Sequence, residues 1–187
     1  MLICLTGKTG SGKSTCLATI KKLGYSVFEM DQYIHDIYRI HQIGYELIRK
    51  EFGDIYVNDH EVDRKRLGQL VFNHKDQLEK LNKLMLPIMK QKIVDLKQKN
   101  EIIFVELAIY LNHEEYFKNL FDEVIQVFGK SEIENKKLKN LSWFSFKKKL
   151  KNPIGSSKNN IQHTIFNTGS ISALNGKIRL LIASILK

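Results

Sequence analysis

The chain has 187 residues, 43% hydrophobic and 27% charged, which is the composition of a folded protein that can bury a core. Its formal charge of +10 favours anionic ligands such as nucleotides, phosphorylated metabolites or nucleic acid. Its two cysteines, Cys4 and Cys16, exclude a disulfide framework and a cysteine-rich zinc site. Because the sequence shows neither a signal-peptide pattern nor a membrane-length apolar run, we expect a cytoplasmic protein with no membrane partner.

The first predicted elements are a strand, a glycine-rich loop and a helix. Residues 2–5 are apolar, and residues 13–23 have apolar positions at helical spacing and stop at Gly24. Residues 25–30 alternate between apolar and polar side chains, which predicts a second strand.

The rest of the chain continues this alternation of helices and strands. Residues 63–99 predict two or three helices, broken near Pro87. Two further strands are predicted at 101–107 and 124–128, and residues 170–186 predict a terminal helix. Strands separated by helices indicate an α/β fold with a parallel sheet that is covered on both faces.

A phosphate-binding loop lies between the first strand and the first helix. The segment GKTGSGKS, residues 7–14, matches the pattern G-x-x-x-x-G-K-[ST] in full. Its glycines let backbone N–H groups converge on a phosphate, Lys13 can reach the β and γ phosphates, and the Ser14 hydroxyl can bind Mg²⁺. We therefore expect ATP with Mg²⁺ as the ligand. The expected ATP-binding residues are Gly10, Ser11, Gly12, Lys13, Ser14 and Thr15.

Asp31 is the candidate catalytic base. It follows the second predicted strand, and in a parallel sheet the carboxyl ends of the strands border the ligand site. A carboxylate there can orient and deprotonate an acceptor hydroxyl, as phosphoryl transfer to an alcohol requires. The alternative is that Asp31 caps a helix that begins at Gln32.

Four segments of the chain resemble the dephospho-coenzyme A kinase family. After the loop LTGKTGSGKST, the strand end VFEMDQYIH resembles the family's D-x-D-x-I-x-H pattern at Asp31 and His35, with Glu29 in place of the first acid. The segments DRKRLG with VF (63–68, 71–72) and NTGS (167–170) resemble its D-R-x-x-L-G-x-x-V-F and N-x-G-S patterns. Together these segments span most of the chain.

This resemblance implies a three-layer P-loop kinase fold with a helical substrate-binding region near residues 60–100 and a lid near 130–158, within one domain of residues 1–187. It implies transfer of the ATP γ-phosphate to the 3′-hydroxyl of dephospho-coenzyme A, with that small molecule as the partner and a monomer favoured. By position, Asp31 would be the base, Thr6 would support it, and His35 and Arg64 would contact the acceptor. The alternatives are that His35 is an ordinary histidine on a helix and that Arg64 is a solvent-exposed cation on a helix.

The chain departs from the family pattern on the acceptor and lid sides. Leu86 replaces the histidine of a His-Pro pair, and Asn112 replaces the acid that closes the segment after Glu106. The chain also has no arginine between Arg66 and Arg179, where the family's lid normally supplies arginines. Lysine lacks arginine's planar fork, so a lid lysine, Lys139 or Lys136, would have to act on the transferring phosphate. We take Lys139 as the candidate catalytic lid residue, with simple solvation as the alternative.

Three other functions fit parts of the sequence. Another small-molecule kinase needs only the phosphate loop and Asp31. A nucleic-acid-stimulated ATPase would explain the net charge and the aromatic residues among the lysines near Trp143, although nucleic acid is the less expected partner. An inactive relative would explain the missing lid arginines.

Overall fold

A five-stranded parallel sheet forms the centre of the computed structural model, which describes residues 1–130, 132 and 161–187. The strand order is β2-β3-β1-β4-β5, so the strand that precedes the phosphate loop is central. The strands are β1 (Leu2–Thr6), β2 (Ser26–Glu29), β3 (Ile103–Glu106), β4 (Glu123–Gly129) and β5 (His163–Asn167). In register, Leu5 is opposite both Glu106 of β3 and Ile125 of β4.

Helices connect the strands. They are α1 (Lys13–Lys22), α2 (Met30–Ile37), α3 (Ile43–Phe52), α4 (Arg64–Asn73), α5 (Lys75–Lys97), α6 (Glu114–Phe117) and α7 (Ile171–Ile185). Short 3₁₀ helices occur at Asp54–Tyr56 and Ala108–Asn112. None of the helices within these described ranges is long and apolar enough to cross a membrane. The expected α/β P-loop kinase fold is therefore confirmed for the sheet and its flanking helices.

The chain forms two compact units. The first comprises Met1–Phe28 and Leu96–Lys187, and the second comprises Glu29–Asp95. The second unit contains α2 and α3 as well as α4. The bounds of the helical substrate-binding region, near residues 60–100, stay a prediction. That the whole chain acts as one domain stays a prediction.

The core of the first unit lies between the sheet and the helices α1 and α7. Alternate residues of β1, Ile3 and Leu5, are fully buried there with residues of both helices, since successive side chains of a strand point to opposite faces. On the other face, Cys4 lies near Tyr110, whose ring packs edge-on against Phe121 with centroids 6.0 Å apart. Both faces of β1 are thus covered, as the apolar run in the sequence predicts.

The second unit has its own apolar core. Its buried members come from α2, α3, α4 and α5 and from the segments that join them. They are Ile37, Tyr38, Tyr45, Ile48, Val62, Leu67, Val71 and Met85. A separate core of this size is what allows the helical region to form a compact body by itself.

The predicted helix break near Pro87 is wrong. Helix α5 runs without interruption from Lys75 to Lys97 with Pro87 inside it, and the break in this region lies at His74 between α4 and α5. Proline removes one helical hydrogen bond. The buried residues Met85, Met89 and Ile93 recur at four-residue intervals, and their burial offsets this loss.

Local pattern also missed β5, α3 and α6. Strand β5 follows a stretch rich in polar residues, and only Ile165 of its five residues is fully buried, so it has no apolar run to detect. Helices α3 and α6 are short and were not expected, and a helix in the position of α2 entered only as the alternative that began at Gln32. The other four strands, α1 and the terminal helix were predicted to within a few residues of their observed ends.

Candidate active site

The phosphate loop turns between β1 and α1 at positions that only glycine can occupy. Gly7 has φ +145°, and a Cβ there would lie 2.3 Å from the Val127 carbonyl oxygen. Gly12, the N-cap residue of α1, has φ +105°, and a Cβ there would lie 2.6 Å from the Asn167 amide nitrogen. A side chain at Gly7 would clash with backbone, one at Gly12 would displace the Asn167 amide, and either would strain the backbone at a positive φ.

The loop presents backbone donors. The Ser11 N–H donates to the Lys8 carbonyl, 3.1 Å away, which closes the turn. The N–H groups of Gly10 and Gly12 donate to no acceptor within the described part of the chain, and no side chain caps the start of α1. Since α1 has no acid in its first turn, its positive end adds to these donors and favours a bound anion.

Lys13 lies buried against the inside of the same loop. Its Nζ donates to the carbonyl oxygens of Gly7 at 2.8 Å and Lys8 at 3.3 Å. The Glu106 carboxylate, at the end of β3, lies 3.6 Å from the same ammonium, and both side chains are about nine-tenths buried. The carboxylate compensates the buried cation and holds it at the phosphate loop.

Glu106 supplies negative charge beside the loop. Burial raises the pKa of the neighbouring Cys4 thiol well above its ordinary value, and the charge of Glu106 raises it further. Ser14, the second residue of α1, is exposed to solvent. A serine hydroxyl and a carboxylate are the oxygen ligands that Mg²⁺ accepts. The described residues contain no cluster of three or more His, Cys, Asp or Glu side chains that could hold a metal.

Two buried hydroxyls border this site. Thr6 Oγ1, at the end of β1, and Ser11 Oγ, in the loop, have no hydrogen-bond partner among the residues that the structure covers. A buried hydroxyl without a partner is costly and is typical of positions where a ligand completes the bonding.

Two contacts of the loop were not foreseen from the sequence. Asn167 Nδ2 donates to the Ser11 carbonyl at 3.0 Å, and Lys8 lies 3.7 Å from Glu132. The signal for the first was the N-x-G-S match, to which sequence analysis attached no contact. The sequence carried no signal for the contact between Lys8 and Glu132, because Lys8 occupies a variable position of the loop pattern.

Asp31 lies in the first turn of α2, two residues after the end of β2. Its side chain is exposed, and no other described residue of its own unit pairs with it. The alternative that it caps a helix beginning at Gln32 is wrong, because α2 begins at Met30 and its N-cap residue is Glu29. Asp31 is thus part of the first turn of α2, and it follows the end of β2 closely in the chain, as the sequence predicts.

His35 and Arg64, the two residues expected at the acceptor, meet in the second unit. Arg64 is the first residue of α4, after the N-cap Asp63, whose side chain accepts the Arg66 N–H. An Arg64 guanidinium nitrogen lies 3.0 Å from His35 Nδ1 and also contacts Nε2. Both side chains are exposed, so they form a basic pair at the surface of this unit. Their roles stay predictions.

The predicted lid residues, including Lys136, Lys139 and Trp143, lie outside the described residues.

Together, the parallel sheet, the glycine loop between β1 and α1 and the buried lysine define a P-loop protein with the fold of small-molecule kinases. A family model described as dephospho-CoA kinase matches residues 1–141, three quarters of the chain. The chain belongs to the dephospho-CoA kinase family.

Individual relatives agree with this assignment. The dephospho-CoA kinase of Mycoplasma pneumoniae is 39% identical over 142 residues, which cover 74% of this chain and 71% of the relative. That of Mycoplasma genitalium is 34% identical over 190 residues, covering 100% of this chain and 94% of the relative. The solved structure of a dephospho-CoA kinase from Campylobacter jejuni has a TM-score of 0.66 at 24% identity, covering 98% of this chain and 96% of that chain. This last likeness concerns the fold.

Proposed function

We propose that this protein transfers the γ-phosphate of ATP to the 3′-hydroxyl of the ribose of dephospho-coenzyme A. The observation that carries the proposal is a complete phosphate loop with a buried lysine in a chain whose family match extends beyond the loop to residue 141. A phosphate loop alone serves hydrolases, motors and kinases, so the acceptor is assigned from the family match.

ATP would bind with its phosphates at the backbone N–H groups of the loop, in residues Gly10 to Thr15. Lys13 would contact the β and γ phosphates, where negative charge accumulates during transfer, and its burial beside Glu106 would hold the ammonium in position. Because the donors are held before the reaction, little reorganisation is needed at the transition state.

Ser14 would hold Mg²⁺ directly, and Glu106 would hold one of its waters. When bound, the metal neutralises phosphate charge and orients the γ-phosphoryl group.

Asp31 would accept the proton of the ribose hydroxyl as that oxygen attacks the phosphorus atom. An exposed carboxylate in the first turn of a helix can accept a hydrogen bond from an alcohol. Thr6, which has a buried hydroxyl without a partner in the described chain, would support this carboxylate or the acceptor.

His35 and Arg64 would bind the acceptor. Their basic pair suits the pyrophosphate of dephospho-coenzyme A, since a guanidinium binds phosphate oxygens through two parallel hydrogen bonds. Lys139 would supply lid charge at the transferring phosphate. A cytoplasmic location and a monomeric state also stay predictions.

The direct test is to incubate the purified protein with Mg²⁺-ATP and separate acceptors, and to identify products by mass. The panel contains dephospho-coenzyme A, adenosine, AMP and shikimate, with Lys13→Ala as the inactive reference. We expect coenzyme A as the principal product. Faster phosphorylation of another acceptor would assign a different small-molecule kinase. ATP hydrolysis that single-stranded RNA stimulates would assign a nucleic-acid-dependent ATPase.

A further inference from the structure

The segment NTGS at residues 167–170 joins β5 to α7, and its first and last residues form hydrogen bonds with different parts of the chain. Ser170 Oγ accepts the Ala173 N–H at 3.2 Å and caps α7. Asn167 makes a different contact: its Nδ2 donates to the carbonyl oxygen of Ser11, 3.0 Å away and 156 positions earlier in the chain.

This hydrogen bond fixes one peptide plane of the phosphate loop. The described chain contains no cis peptide bond, and in a trans peptide the C=O and the following N–H point in opposite directions. Because the Ser11 carbonyl is directed at Asn167, the Gly12 N–H is directed away from it. That N–H donates to no other residue in the described chain, so it is available to an anion.

The Ser11–Gly12 peptide plane needs this hydrogen bond because the backbone at Gly12 can rotate about φ. Glycine populates positive and negative φ with similar ease, so the Ser11–Gly12 peptide could turn its N–H away from a ligand at little cost. Gly12 and Asn167 fit together closely: a Cβ on Gly12 would lie 2.6 Å from Asn167 Nδ2. The sheet holds Asn167 in place, since it pairs in register with Gly129 of β4.

We propose that Asn167 is a positioning residue of the phosphate loop, which holds the Ser11–Gly12 peptide so that the Gly12 N–H donates to a bound phosphate. The inference rests on the proposed binding of ATP phosphates by the loop. It does not depend on which acceptor the enzyme uses.

The test compares the binding of Mg²⁺-ATP and Mg²⁺-tripolyphosphate to the wild type and to Asn167→Ala by calorimetry, without an acceptor. Loss of one oriented donor should weaken the binding of both ligands about tenfold. Asn167→Leu, which fills nearly the same space without a donor, should show the same loss and covers the case in which Asn167→Ala fails to fold. The matched control is Ser170→Ala, which removes the helix cap from the same segment. It should lower the Tm by about 2–4 °C and leave both affinities within twofold of the wild type.

Tripolyphosphate separates loop positioning from recognition of the nucleoside. If Asn167 instead contacts the base or ribose, its variants would bind ATP weakly and tripolyphosphate normally, and the inference would be overturned. Unchanged affinity for both ligands would overturn it too, as would an equal loss in Ser170→Ala. A wild type that binds neither ligand would instead contradict the proposed function.

Discussion

The phosphate loop and the basic pair of the helical unit differ in how their residues are held. In the loop, Gly7 and Gly12 have no space for a side chain, and Lys13 is buried with two carbonyls and a carboxylate around its ammonium. His35 and Arg64 are exposed and touch each other at the surface of their unit. The part proposed to bind triphosphate is therefore built from close contacts. The residues proposed for the acceptor lie on helix surfaces and are exposed to solvent.

The largest expected effect comes from the buried cation of the loop. Lys13→Ala should lower kcat/KM by more than about 10⁴-fold, since it removes both a phosphate contact and charge at the transition state. It also leaves Glu106 buried without its cation. Steady-state rates of coenzyme A formation check this, with the exposed Lys21→Ala on the same helix as the control. Comparable losses of kcat/KM in both variants would show that Lys13 has no specific role in the reaction.

Asp31→Asn should slow transfer by about 10²–10⁴-fold, because an amide cannot accept the acceptor's proton. The affinity for ATP should stay close to that of the wild type, since the loop contacts are unchanged. Rapid-quench measurement of a single turnover reports the chemical step. Asp36→Asn, an exposed carboxylate on the same helix, is the control, and a normal turnover rate in Asp31→Asn would show that another group is the base.

Arg64→Ala should raise the KM for dephospho-coenzyme A by about 10–100-fold while leaving the KM for ATP nearly constant, because a charged hydrogen bond to the acceptor is lost. Arg49→Ala removes the same charge from the same unit, where Arg49 pairs with Asp54 at 2.7 Å, and should change neither constant. If the KM for ATP rose as much as that for the acceptor, Arg64 would not be specific to the acceptor, and the proposed division of roles between the two regions would be wrong.

The smallest expected effect concerns stability at the opposite end of β1 from the loop. Partial burial raises the pKa of Asp122, but the Leu2 N–H at 2.7 Å and the Lys97 ammonium at 3.0 Å outweigh it and lower the pKa overall. A lowered pKa in the folded state means that the carboxylate stabilises the fold above its unfolded pKa of about 3.9. This stabilisation is lost as the pH falls through the lower, folded value.

Asp122→Asn should therefore lower the free energy of unfolding by about 1 kcal/mol at pH 7, without changing either KM. The difference in the free energy of unfolding between variant and wild type should become smaller as the pH falls below about 4. Urea titrations at several pH values measure it, with the exposed Asp59→Asn as the reference. A gap that widens in acid would contradict the sign of this pKa shift.

The sequence predicted the phosphate loop well because its residues are consecutive and each has a local reason to be there. The contact between Asn167 and Ser11 joins positions 156 residues apart, and no periodicity encodes such a pairing. The pair of His35 and Arg64 was named only through the family resemblance, since each residue alone fits an ordinary helix surface. At Pro87 the local rule failed, because the burial of one helix face outweighed the missing hydrogen bond.

The most direct test of the account is to locate the phosphate that leaves ATP. The wild type is mixed with Mg²⁺-ATP and dephospho-coenzyme A, and the product is examined by ³¹P NMR. We expect a new monoester on the 3′-oxygen of the ribose, formed with ADP in equal amount and absent with Lys13→Ala. Phosphate released only as inorganic phosphate, or attached at another position, would contradict it.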